Sequence, residues 1–309
     1  MRGLSHAASK NNYFGRRTMT ARITPVNLKD AIRNLDTLPA MPLIAQKILA
    51  LDLQSDEGER AMLKLIEQDP QIAAKIIGLA NTPLFGASKS ITSVSDAAML
   101  LGITRVKSVT LGIAVMSSLV KKSTGKLDAQ GLWLHSLAIA LALRSIARAM
   151  PANIRPLDDQ LFLAGLLHDI GYVVLNHLDQ PRSDELHSRF AAESERDSYE
   201  IEAELLEMNH CELGAELARF WNLPDVIVAV LRYHHTPDNA SAAFAQPLVR
   251  MTSIAGKILS SFGIPERISP EIAAAEWEAL AIDPARADEL IAQITAQAEE
   301  ARQTAGIFL

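Results

Sequence analysis

The 309 residues are 49% apolar and 21% charged, with a formal charge of -6 and an isoelectric point of about 5.8. That balance belongs to a globular chain, and an acidic protein without a dense Lys/Arg stripe argues against general nucleic-acid binding, which needs a basic face to neutralise phosphates. A single cysteine, Cys211, excludes an intramolecular disulfide and fits a reducing, cytoplasmic setting.

The opening "MRGLSHAASKNNYFGRRTMT" lacks the apolar centre of a signal peptide, so residues 1–22 are expected to be flexible, with Met19 an alternative start. Beyond it, apolar residues recur at helical spacing and strand-like alternation is scarce. "MPLIAQKILAL" places Leu43, Ile44, Ile48 and Leu51 on one face. "DPQIAAKIIGLAN" offers Asp69 as N-cap and Pro70 at the first helical position. In "SVSDAAMLLG", Ser93 and Asp96 read as a capping box and Gly102 as a left-handed C-cap. The run "SVTLGIAVMSSLV" is too short to span a bilayer, which needs roughly 20 apolar residues. No membrane association is therefore expected.

After the polar "KKSTGKLDAQG" come "GLWLHSLAIALALRSIARAM", closed by Pro151, then a helix carrying "HDIG", and "IEAELLEM", "HCELGAELARFW" and "LPDVIVAVLRYHH". The fold class is all-α, about a dozen helices on short loops. The boundaries expected are an N-terminal bundle over 23–120, a histidine-bearing lobe over 121–262 and amphipathic helices over 263–309. The last are read as solvated helices packed by Ile272, Trp277, Leu280 and Ile291, or as a homodimer surface.

Five of the eight histidines can converge. His135 sits inside an apolar helix, His168 and Asp169 are adjacent on the next, His210 opens a later one, and His234 and His235 end another. Imidazole and carboxylate are the ligands expected for Fe, Mn or Zn. A carboxylate in an apolar stretch costs several kcal/mol unless paired or coordinated, which demands a partner for Asp169 without naming it. His168 and Asp169 are thus either a hydrogen-bonded core pair or ligands. His6, His177 and His187 are read as surface or tail, and Cys211 as a small core residue.

"LLHDIGYVVL", with His135 upstream, resembles the HD superfamily of metal-dependent phosphohydrolases. "LPAMPLIAQKILAL", "LIEQDPQIAAKIIGLANTPLFG", "ITSVSDAAMLLGITRVKSVTLG" and "ELGAELARFWNLPDVIVAVLRYHH" are similar to successive signatures of the HD-related output domain, HDOD. The resemblance runs from about Leu28 to His235. It implies an N-terminal bundle packed on an HD-like lobe, and a bacterial signalling or regulatory protein of a family without an established general catalytic activity. It also implies that His135, His168, Asp169, His210, His234 and His235 match metal positions of the related HD-GYP phosphodiesterases. Three features depart from those enzymes. Tyr172 replaces a lysine after "HDIG", "HHTPDNASA" replaces the Gly-Tyr-Pro signature, and Gly256 stands where a late bridging aspartate is expected, with no Asp or Glu between Asp238 and Glu266 to substitute.

The expected function is therefore a non-catalytic signalling module that binds a partner protein or small ligand, its divalent metal structural or regulatory. The alternatives are a residual phosphohydrolase acting on a nucleotide or cyclic dinucleotide, and a redox-sensing iron centre in the same pocket.

Overall fold

In the computed structural model, residues 27–33, 38–82, 85–87, 89–120, 125–260 and 262–304 are described; the expected flexible segment 1–22 lies outside them. They hold sixteen α-helices and no strand. Of these, α1 (Leu28–Arg33), α2 (Leu43–Leu49), α3 (Asp56–Glu67), α4 (Pro70–Ala80), α5 (Val94–Leu101) and α6 (Ile103–Val120) come first. Asp69 caps α4, its Oδ1 accepting from the Gln71 and Ile72 amides at 3.1 Å, with Pro70 at the first position. Ser93 caps α5, but the reciprocal half of the box differs: its hydroxyl accepts from the Asp96 amide and donates to the Asp96 carboxylate at 2.8 Å. Gly102 takes φ +90°, ψ 142°, a positive-φ turn outside the αL well expected of it, and α5 and α6 diverge there by 116°.

The second half is built on α7 (Ala129–Ala149), which packs against α8 (Asp158–Leu167), α14 (Leu248–Ile258) and α16 (Ala287–Thr304). A helix covered on every side is apolar all round. That accounts for two stretches, Ala129–Ala149 and Asp158–Leu178, which have the length and apolarity to cross a membrane yet are 83% and 89% buried inside the protein. Gly165 allows α7 and α8 to close, since a Cβ there would meet the Ala140 backbone at 2.4 Å.

Around this pair lie α9 (Ile170–Leu178), α10 (Gln180–Ala192), α11 (Ser198–Leu205), α12 (His210–Phe220), α13 (Asp225–Tyr233) and α15 (Ala274–Glu278). The N-terminal helices join them through α6, which packs on α8. At that seam Ser108 donates to the Asp159 carbonyl at 3.1 Å and the Arg105 guanidinium lies over the Phe162 ring. Further round, the Trp221 indole donates to the Pro39 carbonyl at 2.9 Å. In the tail, Trp277 and Leu280 are buried while Ile272 and Ile291 are half-buried; Ile294 and Ala298 complete the seam of α16 on α7.

Candidate metal centre

The "HDIG" segment is not one continuous helix. α8 ends at Leu167, His168 is its C-cap, and Asp169 (φ -102°, ψ 16°) steps out of helical geometry before α9 begins at Ile170. On a regular helix the two side chains would diverge by about 100°. At this break both point into the same pocket, where His168 Nε2 lies 3.1 Å from Asp169 Oδ2.

Four buried imidazoles share one arrangement. His135 Nδ1 is 2.8 Å from the Phe262 carbonyl, and His168 Nδ1 is 2.9 Å from that of Gly165. His234 Nδ1 faces the Val230 and Leu231 carbonyls at 3.0 and 3.1 Å, and His210 Nδ1 faces Glu202 Oε1 at 2.7 Å. Each Nδ1 can bond to these acceptors only as an N–H donor, so each neutral ring turns a bare Nε2 lone pair inward. The lone pairs then face one another, with His135 Nε2 3.3 Å from His168 Nε2 and His210 Nε2 3.4 Å from His234 Nε2. While both rings are neutral, neither member of such a pair has a proton to give; an added proton or a metal cation between them resolves the conflict.

Asp169 lies between the two pairs. Its Oδ2 is 3.5 Å from His135 Nε2 and 3.1 Å from His168 Nε2, while Oδ1 is 3.6 Å from His210 Nε2 and 3.4 Å from His234 Nε2. It is buried, and neither oxygen makes a hydrogen bond of acceptable geometry. One carboxylate thus addresses two donor sets, one oxygen to each.

Two further carboxylates enter the pocket. Glu202 on α11 accepts from the His210 backbone amide and from His210 Nδ1, both at 2.7 Å. Glu266, from the segment after α14, has Oε1 3.4 Å from His235 Nε2 and 3.9 Å from His210 Nε2. The Tyr172 hydroxyl sits between them, 2.9 Å from Glu202 Oε1 and 2.7 Å from Glu266 Oε1, and stacks on His210 with ring centroids 4.3 Å apart. It has one proton for two acceptors, so it ties the carboxylates together without neutralising either. Cys211 completes the wall, its Sγ 3.4 Å from His210 Nε2 and 3.9 Å from His234 Nε2.

The crowding shows in the titration. Burial lowers His135, with the Asp169 charge only partly restoring it. Burial would raise Asp169, but the neighbouring imidazoles of His168, His234 and His210 hold it well below its ordinary value. For His210 and His234 burial is overcome by Cys211 together with Glu202 or Asp169, and His234 rises to about 10. Protons on these two rings stand where a metal's charge would stand. The residues fit a divalent metal by donor type, orientation and uncompensated acidity.

All six sequence-derived site residues, His135, His168, Asp169, His210, His234 and His235, lie in this one cluster. The expectation that no carboxylate compensates for Gly256 is corrected. Gly256 itself faces Ile268, where a Cβ would be 3.4 Å from Cδ1, but Glu266 reaches the site from two residues earlier, and Glu202 joins it. His187, read as surface, is buried beside Tyr172 and Phe190. Glu202 left a signal: Ser198, Ile201, Glu202 and Leu205 share one helical stripe, so Glu202 interrupts an inward face. Glu266, in an irregular segment, left none.

A family model described as the HDOD domain matches residues 38–237. The chain belongs to the HDOD domain family. The match contains the six residues and Glu202 but stops before Glu266. An HDOD domain protein of unknown function from Geobacter sulfurreducens is 25% identical, with 89% of this chain and 98% of that one aligned at a TM-score of 0.70. A "Putative signal transduction protein" from Marinobacter aquaeolei VT8 has the same fold: 24% identity, TM-score 0.76, 91% of this chain and 65% of that one. An uncharacterized protein of Treponema pallidum (strain Nichols) is 24% identical over 249 residues, 77% of this chain. The chain spans 47% of that relative's length.

Proposed function

We propose that this HDOD chain is a regulatory module whose buried histidine–carboxylate cluster holds divalent metal as a structural or regulatory centre, and that it acts by binding a partner protein or small ligand. The burial of the donor set carries the reading. The side chains of His135, His168, Asp169, His210 and His234 are 1–4% exposed, and the Tyr172 hydroxyl bridges two carboxylates beside them. Structural metal sites are closed, whereas hydrolytic ones keep a position open for water and substrate. A phosphodiester approaching this cluster would also meet Glu202 and Glu266 in place of the lysine that Tyr172 replaces.

When bound, the metal would lower the pKa of a coordinated water towards neutrality. Here the chain's own residues keep water and anions away from that position: Tyr172 covers His210, and Glu266 stands beside His235. The signalling role draws support from the family and from the description of the Marinobacter relative.

Metal analysis of protein purified without chelator tests the reading. A stoichiometric divalent ion is expected, absent from Asp169→Ala, whose thermal midpoint should fall while helicity persists. Wild-type protein should not turn over cyclic dinucleotides or generic phosphodiesters. Metal-dependent turnover abolished by Asp169→Ala would replace this reading with the phosphohydrolase one, which the arrival of Glu266 at the site would then favour.

A further inference from the structure

At the seam where α6 meets α8, a buried guanidinium lacks a matching anion among the described residues. Arg105 is 7% exposed and lies over two rings, 5.7 Å from the centroid of Phe85 and 5.1 Å from that of Phe162. A guanidinium carries five N–H donors. Those of Arg105 make no hydrogen bond among the described residues, and Nε is buried without a partner. Its ion pair with Asp158, at the start of α8, is long at 3.9 Å, and that carboxylate is 65% exposed. By contrast Arg182, Arg189, Arg196 and Arg302 each meet a carboxylate at between 2.5 and 3.1 Å.

Further cations crowd the same place. Arg144 and Arg148 lie one turn apart on α7, which packs on α8, and neither makes an ion pair among the described residues. Burial, with the charges of Arg144 and Arg148, pulls Arg105 down to about 10 against the opposing charge of Asp158. Arg155 donates to the Met150 and Arg148 carbonyls at 2.8 and 3.0 Å, which holds a fourth guanidinium at this end of α7. The positive end of the α8 dipole also starts here, and its N-cap Leu157 supplies no side-chain bond. We propose that this seam binds a phosphoryl group, with Arg105, Arg144 and Arg148 as its cationic lining.

Unmatched charge carries the proposal. A buried cation is costly unless an anion accompanies it. The chain has a net charge of -6, yet here it sets three guanidiniums against one exposed carboxylate. Guanidinium is also the side chain whose fork of donors fits phosphoryl oxygens in pairs. The ring contacts steady Arg105 and leave those donors available. A dianion here would touch α6 on one side and α7 and α8 on the other, and so would hold the N-terminal helices on the second half. None of these arginines belongs to the metal cluster, so the two readings stand or fall separately.

Calorimetric titration of the full chain with inorganic phosphate, at an ionic strength held constant with chloride, tests the site. Saturable binding is expected, with a rise in thermal midpoint that chloride does not reproduce. Arg144→Gln should weaken binding about tenfold, and Asp158→Asn, which removes the competing carboxylate, should strengthen it severalfold. Arg105→Met should abolish binding and leave the phosphate-free midpoint no lower than that of the wild type, as expected when an uncompensated charge is removed. If that variant fails to fold, the substitutions at half-buried Arg144 and exposed Asp158 decide alone. Metal content should be unchanged in all three. Phenyl phosphate separates the sources of the group. Tighter binding than inorganic phosphate, through the exposed Leu157 and Ile154, marks a phosphate ester, and equal or weaker binding marks the free ion. Absence of saturable phosphate binding, wild-type affinity in folded Arg105→Met, or affinity unaltered in Arg144→Gln and Asp158→Asn overturns the proposal.

Discussion

At the residue scale the cluster is decided by which atom of each ring is occupied. Glu202 illustrates this without facing the centre itself. It holds the His210 amide and Nδ1 with its two oxygens, setting both the start of α12 and the direction in which Nε2 points. It is a positioning residue. Glu202→Ala should lower metal affinity by about 10–100-fold, the usual effect of losing an outer partner of a ligating histidine. Competition with a chromogenic chelator measures this, and Glu202→Gln should restore part of the loss because its amide oxygen can still accept one of the two bonds. Tyr172 acts at the same scale: its hydroxyl joins two carboxylates and its ring stacks on the His210 imidazole.

At the element scale, the site depends on how closely α9 and α12 approach. A Cβ on Gly171 would lie 1.8 Å from the His210 carbonyl oxygen, so only glycine permits the contact. Gly171→Ala should push the start of α12 outward, taking His210 and Cys211 with it. We expect destabilisation of about 1–3 kcal/mol from overpacking, together with loss of metal uptake, read by urea unfolding and metal analysis on the same sample. Helix positions and caps were legible in the sequence because they are local: the Asp69 cap and Pro70 are written side by side. The break at His168–Asp169 was not, since the apolar pattern runs straight through it and only packing against α7 and α12 sets the step. The histidines were legible as unusual groups in apolar surroundings. Glu202 was legible in principle as a charge on an inward stripe, whereas Glu266, outside any periodic segment, was not.

At the scale of the whole molecule, the tail is part of the core. α16 lies along α7, the helix that carries His135, with Ile294, Ala298 and Ala301 buried and Ser145 donating to Gln297 at 2.7 Å. Phe262, whose carbonyl receives His135 Nδ1, is covered by the Arg302 guanidinium 4.4 Å from its ring. Truncation after Arg286 should therefore lower the thermal midpoint and weaken metal binding together, through α7 and Phe262. An unaltered metal affinity in the truncated protein, assayed below its melting transition, would show that α16 only covers α7. A sequence reading that treats these helices as a solvated appendage misses the connection, because amphipathicity reports that a face is buried but not against what.

The donors are drawn from residues 135 to 266, on segments far apart in the sequence. An ion joining them ties shut long loops, which restricts the unfolded chain much as a covalent cross-link does. It is also enclosed, so a chelator in solution cannot reach it until these helices part. Exchange of the ion would then run at the rate at which the fold opens, independent of how much chelator is present. The cell would experience such a centre less as an equilibrium sensor of metal supply than as a record of the metal present when the chain folded.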